Sequence, residues 1–180
     1  MKKIIILIIT SILLCACDIT DSPTLEVKSY LDNYNSLNEN VIEDMESSII
    51  KENLSSNNTS IYREVLKKQY KDLRYEIVDE KVDKDKAEVK VKITVYDLYN
   101  SRVESENYMN ENQQEFLNEE NIFDEEKYMK YRLDEMLKTK DTITHDITFN
   151  LTKVDNKWKI DEPSREVLEK IHGLYDYNLD

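Results

Sequence analysis

Residues 142–161 read TITHDITFNLTKVDNKWKID. Ile143, Ile147, Phe149 and Leu151 alternate with Thr144, Asp146, Thr148 and Asn150. A period of two puts the apolar set on one face and the polar set on the other, as in a strand with one buried side. Asp155-Asn156 interrupts the run with residues that tolerate a left-handed backbone, so a tight turn is expected there. Lys157 to Asp161 then returns with Trp158 and Ile160 inward. This stretch predicts a β-hairpin with a wet face and a core face.

The same pattern occurs once more upstream. Tyr75 to Asp83 is rich in β-formers, Asp83-Lys84-Asp85-Lys86 suits a turn, and Ala87 to Tyr99 alternates. In that last run Val89, Val91, Ile93 and Val95 oppose Lys90, Lys92 and Thr94. The flanking segments have helical spacing. Ser22-Pro23 suits a helix start, followed by Val27, Tyr30, Leu31 and Tyr34. Glu39 to Glu52 carries Ile42, Met45 and Ile49 on one side, and Ile61 to Leu73 carries Val65, Leu66 and Tyr70. Between these two helices, NLSSNNTS (Asn53 to Ser60) reads as a loop.

Arg102 to Lys140 is polar and acidic, and its second half is amphipathic through Met129, Arg132, Leu133, Met136 and Leu137. Pro163 is expected to open a last helix that Gly173 ends, and residues 176–180 read as a frayed tail. Strand pairs set apart from helices predict an α+β fold. Its sheet is antiparallel and packed on helices, with a helical insert at about 102–140. One domain is expected over 23–175.

The N-terminus has a different character. Met1-Lys2-Lys3 is positive, and Ile4 to Leu14 is apolar apart from Thr10 and Ser11. That run is shorter than the ~20 residues a membrane-spanning helix needs. It has the proportions of a secretory leader. Leu14-Cys15-Ala16-Cys17 resembles the lipobox of bacterial lipoproteins. The resemblance implies a signal peptide over 1–16 and Cys17 as the mature N-terminus, carrying palmitate-type acyl chains. Residues 17–22 form a short linker. Two or more chains hold a protein on a bilayer stably. The expected location is the extracytoplasmic face of the cell membrane. Cys15 and Cys17 are the only cysteines, so no disulfide framework is expected in the mature domain.

Composition excludes several classes. The net charge is −13, with 38 acidic and 25 basic residues, and loss of the leader removes Lys2 and Lys3 as well. Nucleic-acid binding needs clustered cations, so no nucleic-acid partner is expected. Gly173 is the only glycine. Phosphate loops and dinucleotide fingerprints need several, so neither they nor the cofactors they hold are expected. The two histidines, His145 and His172, lie far apart in the sequence, which argues against a transition-metal site. Asp83-Lys84-Asp85 lacks the glycine and the oxygen ligands of a calcium loop.

Three stretches carry a wider resemblance: VKSYLDNYNSLN (27–38), YEIVDEKVDKDKAEVKVKITVYD (75–97) and ITFNLTKVDNKWKID (147–161). Together they resemble small lipoproteins of Gram-positive bacteria with a nuclear-transport-factor-2-like, cystatin-like domain of unknown function. The resemblance implies a curved sheet wrapped around helices into a cone. That cone hosts enzymes, ligand binders and adaptors alike, so the fold does not choose among them.

Candidate sites follow from residues that break the local pattern. Asp97 and His145 both fall on the apolar parity of their strands. With Tyr99 they are the candidate lining of a pocket, in which a carboxylate base and a phenol donor would support catalysis. The bland alternative is a strand that ends at Asp97 and a half-buried histidine. His172, in the last helical turn, is expected to act as a cation on the helix dipole. Twelve tyrosines are an excess, and tyrosine suits contact surfaces. Tyr128 and Tyr131 beside the insert's stripe are the candidate partner contact. The leading expectation is a non-enzymatic binding or interaction module without a cofactor. Its partner would be an envelope protein or a small apolar ligand. The alternatives are a cryptic enzyme with an Asp/Tyr pocket and a structural envelope lipoprotein.

Overall fold

The computed structural model describes residues 21–178. The leader, the lipobox and Cys17 lie outside the described residues. Three helices come first: α1 (Pro23–Asn35), α2 (Glu39–Lys51) and α3 (Ser56–Lys71). Strands β1 (Arg74–Asp83) and β2 (Lys86–Tyr96) follow, then α4 (Leu98–Glu111), a 3₁₀ turn (Gln113–Phe116) and α5 (Glu125–Lys138). Strands β3 (Thr142–Val154) and β4 (Lys157–Ile160) and helix α6 (Arg165–His172) complete the chain. The architecture is α+β, with a four-stranded antiparallel sheet in the order β1-β2-β3-β4.

The expected alternation sets the register. Ala87, Val89, Val91 and Ile93 stand opposite Leu151, Phe149, Ile147 and His145, and all eight are buried. A one-residue slip would turn this whole set into water, so the register is strongly specified. The Asp155-Asn156 turn has φ of 51° and 63°. Positive values at both central residues mark a type I′ turn, whose twist matches that of the flanking strands.

Helices α1 and α6 close the apolar face of the sheet, and α3 packs against both. Their side chains fill the cone. Val27, Leu31, Tyr34, Ile49, Leu66, Tyr70 and Ile171 meet Val89, Ile93, Phe149, Leu151 and Trp158 in one continuous core. Helices α4 and α5 form an arm that leaves the sheet. The arm packs along α3 through a second small core of Val65, Leu98, Leu133 and Met136.

Three local expectations are corrected. NLSSNNTS is not a loop throughout, because α3 starts at Ser56. Ser55 Oγ accepts the Asn58 N–H (3.4 Å) as an N-cap, and buried Asn58 donates to the Glu126 carbonyl (3.2 Å). Capping and a tertiary contact thus override the turn propensity of the run. The second strand ends at Tyr96 rather than Tyr99, because Asp97 caps α4. The insert is helical as expected, with α4 in its first half and α5 in its second. Pro163 precedes the last helix instead of opening it: Ser164 is the cap, and Val167 N–H donates to its Oγ (3.3 Å).

Candidate functional site

The strand-to-helix switch at Asp97 builds the first candidate site. Asp97 Oδ1 accepts the Asn100 N–H (2.9 Å), which satisfies a free donor in the first turn of α4. The Asp97 N–H donates to the Asp141 carbonyl (2.9 Å), and the Tyr99 N–H donates to the Gly173 carbonyl (2.8 Å). Asp97 and Tyr99 are therefore held at the end of α6, where the chain's last described residues fold back.

That C-terminal segment meets all three predicted residues. The Tyr177 hydroxyl donates to Asp97 Oδ2 (3.1 Å), and its ring meets Tyr99 edge-on at 5.1 Å. Asn178 Nδ2 donates to the Tyr99 hydroxyl (3.3 Å). The Tyr175 ring stands edge-on to His145 at 5.7 Å, with Lys170 Nζ 4.6 Å above the Tyr175 ring. The tail expected to fray is docked here through residue 178.

Burial and hydrogen bonding set the electrostatics of this corner. Burial holds the His145 imidazole below its ordinary value; Lys170 pushes the same way and Asp97 pushes back. His145 is neutral near pH 7 as a result. Burial and the Asp97 carboxylate push the Tyr177 phenol up to about 12. A base catalyst works best with a pKa near the operating pH and a free lone pair. Here the Asp97 carboxylate already accepts two hydrogen bonds from its own chain.

His172 is corrected from its expected role. It is largely enclosed between helices, and burial holds its pKa down at about 4. A neutral ring adds no charge to the α6 dipole. Instead Nδ1 lies 2.7 Å from the Tyr70 hydroxyl. A row of rings runs from there through the cone. Tyr70 meets Tyr34 edge-on at 5.1 Å, Tyr34 meets Tyr30 at 5.5 Å, and Tyr30 meets Phe149 at 5.4 Å. The Tyr30 and Tyr34 hydroxyls are 3.2 Å apart. Burial raises the pKa of all three phenols, so they stay protonated. Three of the twelve tyrosines are thus explained by core packing, and the row is detectable in sequence only as helical spacing.

Tyr128 and Tyr131 are half-buried and face inward. Both rings pack against Phe116, at 5.6 and 5.3 Å, and Tyr131 stacks on Tyr108 at 5.0 Å. This aromatic knot ties the 3₁₀ turn to α5. The exposed apolar side chains of the arm lie beyond it. Ile122 is 57% exposed and Phe123 44%. The loop that carries them is closed by hydrogen bonds. The Asn118 N–H donates to the Ile122 carbonyl (2.8 Å), and the Asp124 N–H to the Phe116 carbonyl (2.7 Å). Asn118 Oδ1 accepts the N–H groups of Glu120 and Ile122 (2.9 and 3.0 Å). Exposed Glu119, Glu120, Glu125 and Glu126 surround the tip. Sequence reading missed it because two apolar residues carry no period.

No family model matches the chain, and no curated protein does. Among solved structures, the chain is similar to a candidate lipoprotein, ycdA, of Bacillus subtilis subsp. subtilis strain 168. The TM-score is 0.41 and the identity 12%, over 74% of this chain and 44% of that one. The chain thus spans less than half the length of that protein. No residue role is transferred from it.

Proposed function

We propose that this protein is a lipid-anchored, extracytoplasmic interaction module without catalytic activity, and that the tip of its α4–α5 arm contacts a protein partner. The anchor reading rests on the lipobox ending at Cys17. The interaction reading rests on one observation. The cone is filled by its own side chains, whereas Ile122 and Phe123 stay about half exposed on a hydrogen-bonded loop, Phe123 resting one side against Tyr128. Leaving two large apolar groups half exposed forgoes roughly half of the ~1.5–3 kcal/mol that full burial of each would give. A loop that orders them there is the usual signature of a contact surface. The acidic rim favours a partner whose apolar cleft is flanked by lysine or arginine.

The non-catalytic reading is supported at Asp97, which is occupied as a helix cap and as an acceptor for Tyr177. The anchor is tested by mass spectrometry of protein from membranes; an unmodified Cys17 would remove it. The contact is tested by photocrosslinking from position 122 in intact cells, with position 82 on β1 as the control. A discrete adduct at 122 that disappears in Phe123→Ser is expected. Equal adducts from both positions, or an adduct indifferent to F123S, would overturn it.

A further inference from the structure

A small pocket of about 200 Å³ lies where α3, α4 and α5 meet the residue after α6. Leu54, Tyr62, Met136 and Leu174 supply apolar walls, and two arginines, Arg102 and Arg132, supply the charge. The chain has 38 acidic residues. Arg63 and Arg165 each pair with a glutamate. Among the described residues, neither Arg102 nor Arg132 forms an ion pair.

Arg132 is short of acceptors in a stronger sense. Its Nε is buried and has no hydrogen-bond partner. One terminal nitrogen reaches the Met129 sulfur, at 2.9 Å, which is a weak acceptor, and the Tyr128 hydroxyl also accepts from the guanidinium. Arg102 lies over the Tyr99 ring at 5.1 Å. Both guanidinium groups act on Tyr62, lowering a phenol pKa that burial and Glu52 push up to about 12. They also face Tyr128, where Glu106 is the opposing charge. A buried guanidinium N–H without an acceptor is costly, and native proteins rarely leave one. Guanidinium groups bind a planar oxyanion through parallel N–H donors.

We propose that this pocket is a binding site for a small carboxylate on a short apolar body. The arginines would hold the carboxylate through N–H groups that face the pocket, while Leu54, Met136 and Leu174 cover the body. The volume equals about seven waters at ~30 Å³ each, so the body is a few carbons long. Glu52 lines the same pocket and competes for the cations. The site does not depend on the arm-tip reading: the probes are small molecules, and Ile122 and Phe123 do not line it.

The test uses the purified lipid-free domain, titrated with sodium hexanoate and with N-acetylleucine while the arginine Nε–H resonances are followed. One-site saturation is expected, with the Arg102 and Arg132 signals moving together as the site fills. Arg132→Gln and Arg102→Gln should each weaken binding at least tenfold, and hexanol should bind at least tenfold more weakly than hexanoate. Glu52→Gln, at the surface, keeps the fold intact and should tighten binding severalfold. Tighter binding of hexanoate identifies a free acid as the natural source, and tighter binding of N-acetylleucine a peptide C-terminus; either supports the site. Absence of saturation by both probes, equal affinity for hexanol, or an unchanged affinity in E52Q would overturn it.

Discussion

Tyr70 and His172 are 102 positions apart, yet the phenol oxygen lies 2.7 Å from the imidazole Nδ1. The bond joins α3 to the end of α6 inside the cone. A neutral imidazole accepts the phenol proton there; an imidazolium would present a second donor to a donor.

Stability should therefore depend on pH in a definite direction. The folded pKa of His172 is about 4, below the ordinary value of about 6.5. Between these values the unfolded chain binds the extra proton, so stability rises with pH across the window. It is complete above about pH 6.5 and is lost as the pH falls toward 4. Burial lowers the pKa of His145 too, with the same sign. Urea midpoints at pH 7 and pH 5 should differ more in the natural protein than in His172→Gln. An equal pH dependence in both would refute this assignment.

Asp97 has two separable roles. Asp97→Asn keeps a good N-cap and should cost little stability, whereas Asp97→Ala should cost about 1–2 kcal/mol. Both changes remove the carboxylate that helps hold the Tyr177 phenol up at about 12. Ultraviolet titration should show one tyrosine shifting toward 10 in D97N. If every tyrosine titrates as before, the tail does not dock on Asp97 in solution.

Gly173 is confined by geometry. It has φ of 72°, and a Cβ there would run into the Tyr96 carbonyl and the Gln69 side chain. Gln69 is fully buried and bridges two elements. It donates to the Ile171 carbonyl (3.1 Å) and accepts the Tyr96 N–H (3.0 Å). Gly173→Ala should destabilise the domain by about 2 kcal/mol or more, since the left-handed backbone alone costs roughly 1–2. A thermal melt unchanged by G173A would contradict this packing.

Phe116 holds the arm together. It is 3% exposed among Tyr108, Tyr128 and Tyr131. Phe116→Ala should remove about 3–5 kcal/mol of local packing. Hydrogen exchange should then speed up in α4 and α5 while β2 and β3 keep their protection. Uniform acceleration across the sheet would show that arm and cone open as one unit.

Where periodicity and side-chain chemistry agreed, the elements were legible. The β3–β4 hairpin follows from alternation and Asp155-Asn156, and α6 ends at Gly173 as expected. Where a cap competed with a pattern, the pattern misled. Asp97 continues the strand's parity but belongs to α4, and Asn58 looks like a loop residue but is buried. Tyr128 and Tyr131 were visible as an aromatic edge, but the partner that turns them inward, Phe116, comes from a segment with no period.

The amino-acid order alone determined the α+β class, the buried faces of β2, β3 and β4, the acidic composition and the lipobox reading of Cys17. These depend on neighbours within a few positions, where spacing stands in for geometry. Tertiary structure alone decided that the cone is filled, that the C-terminal segment lies on Asp97 and His145, and that Arg102 and Arg132 share a pocket without an ion pair among the described residues. Such relationships join residues tens of positions apart. Burial and the lack of a partner are properties of the assembled surroundings, and no local pattern encodes them.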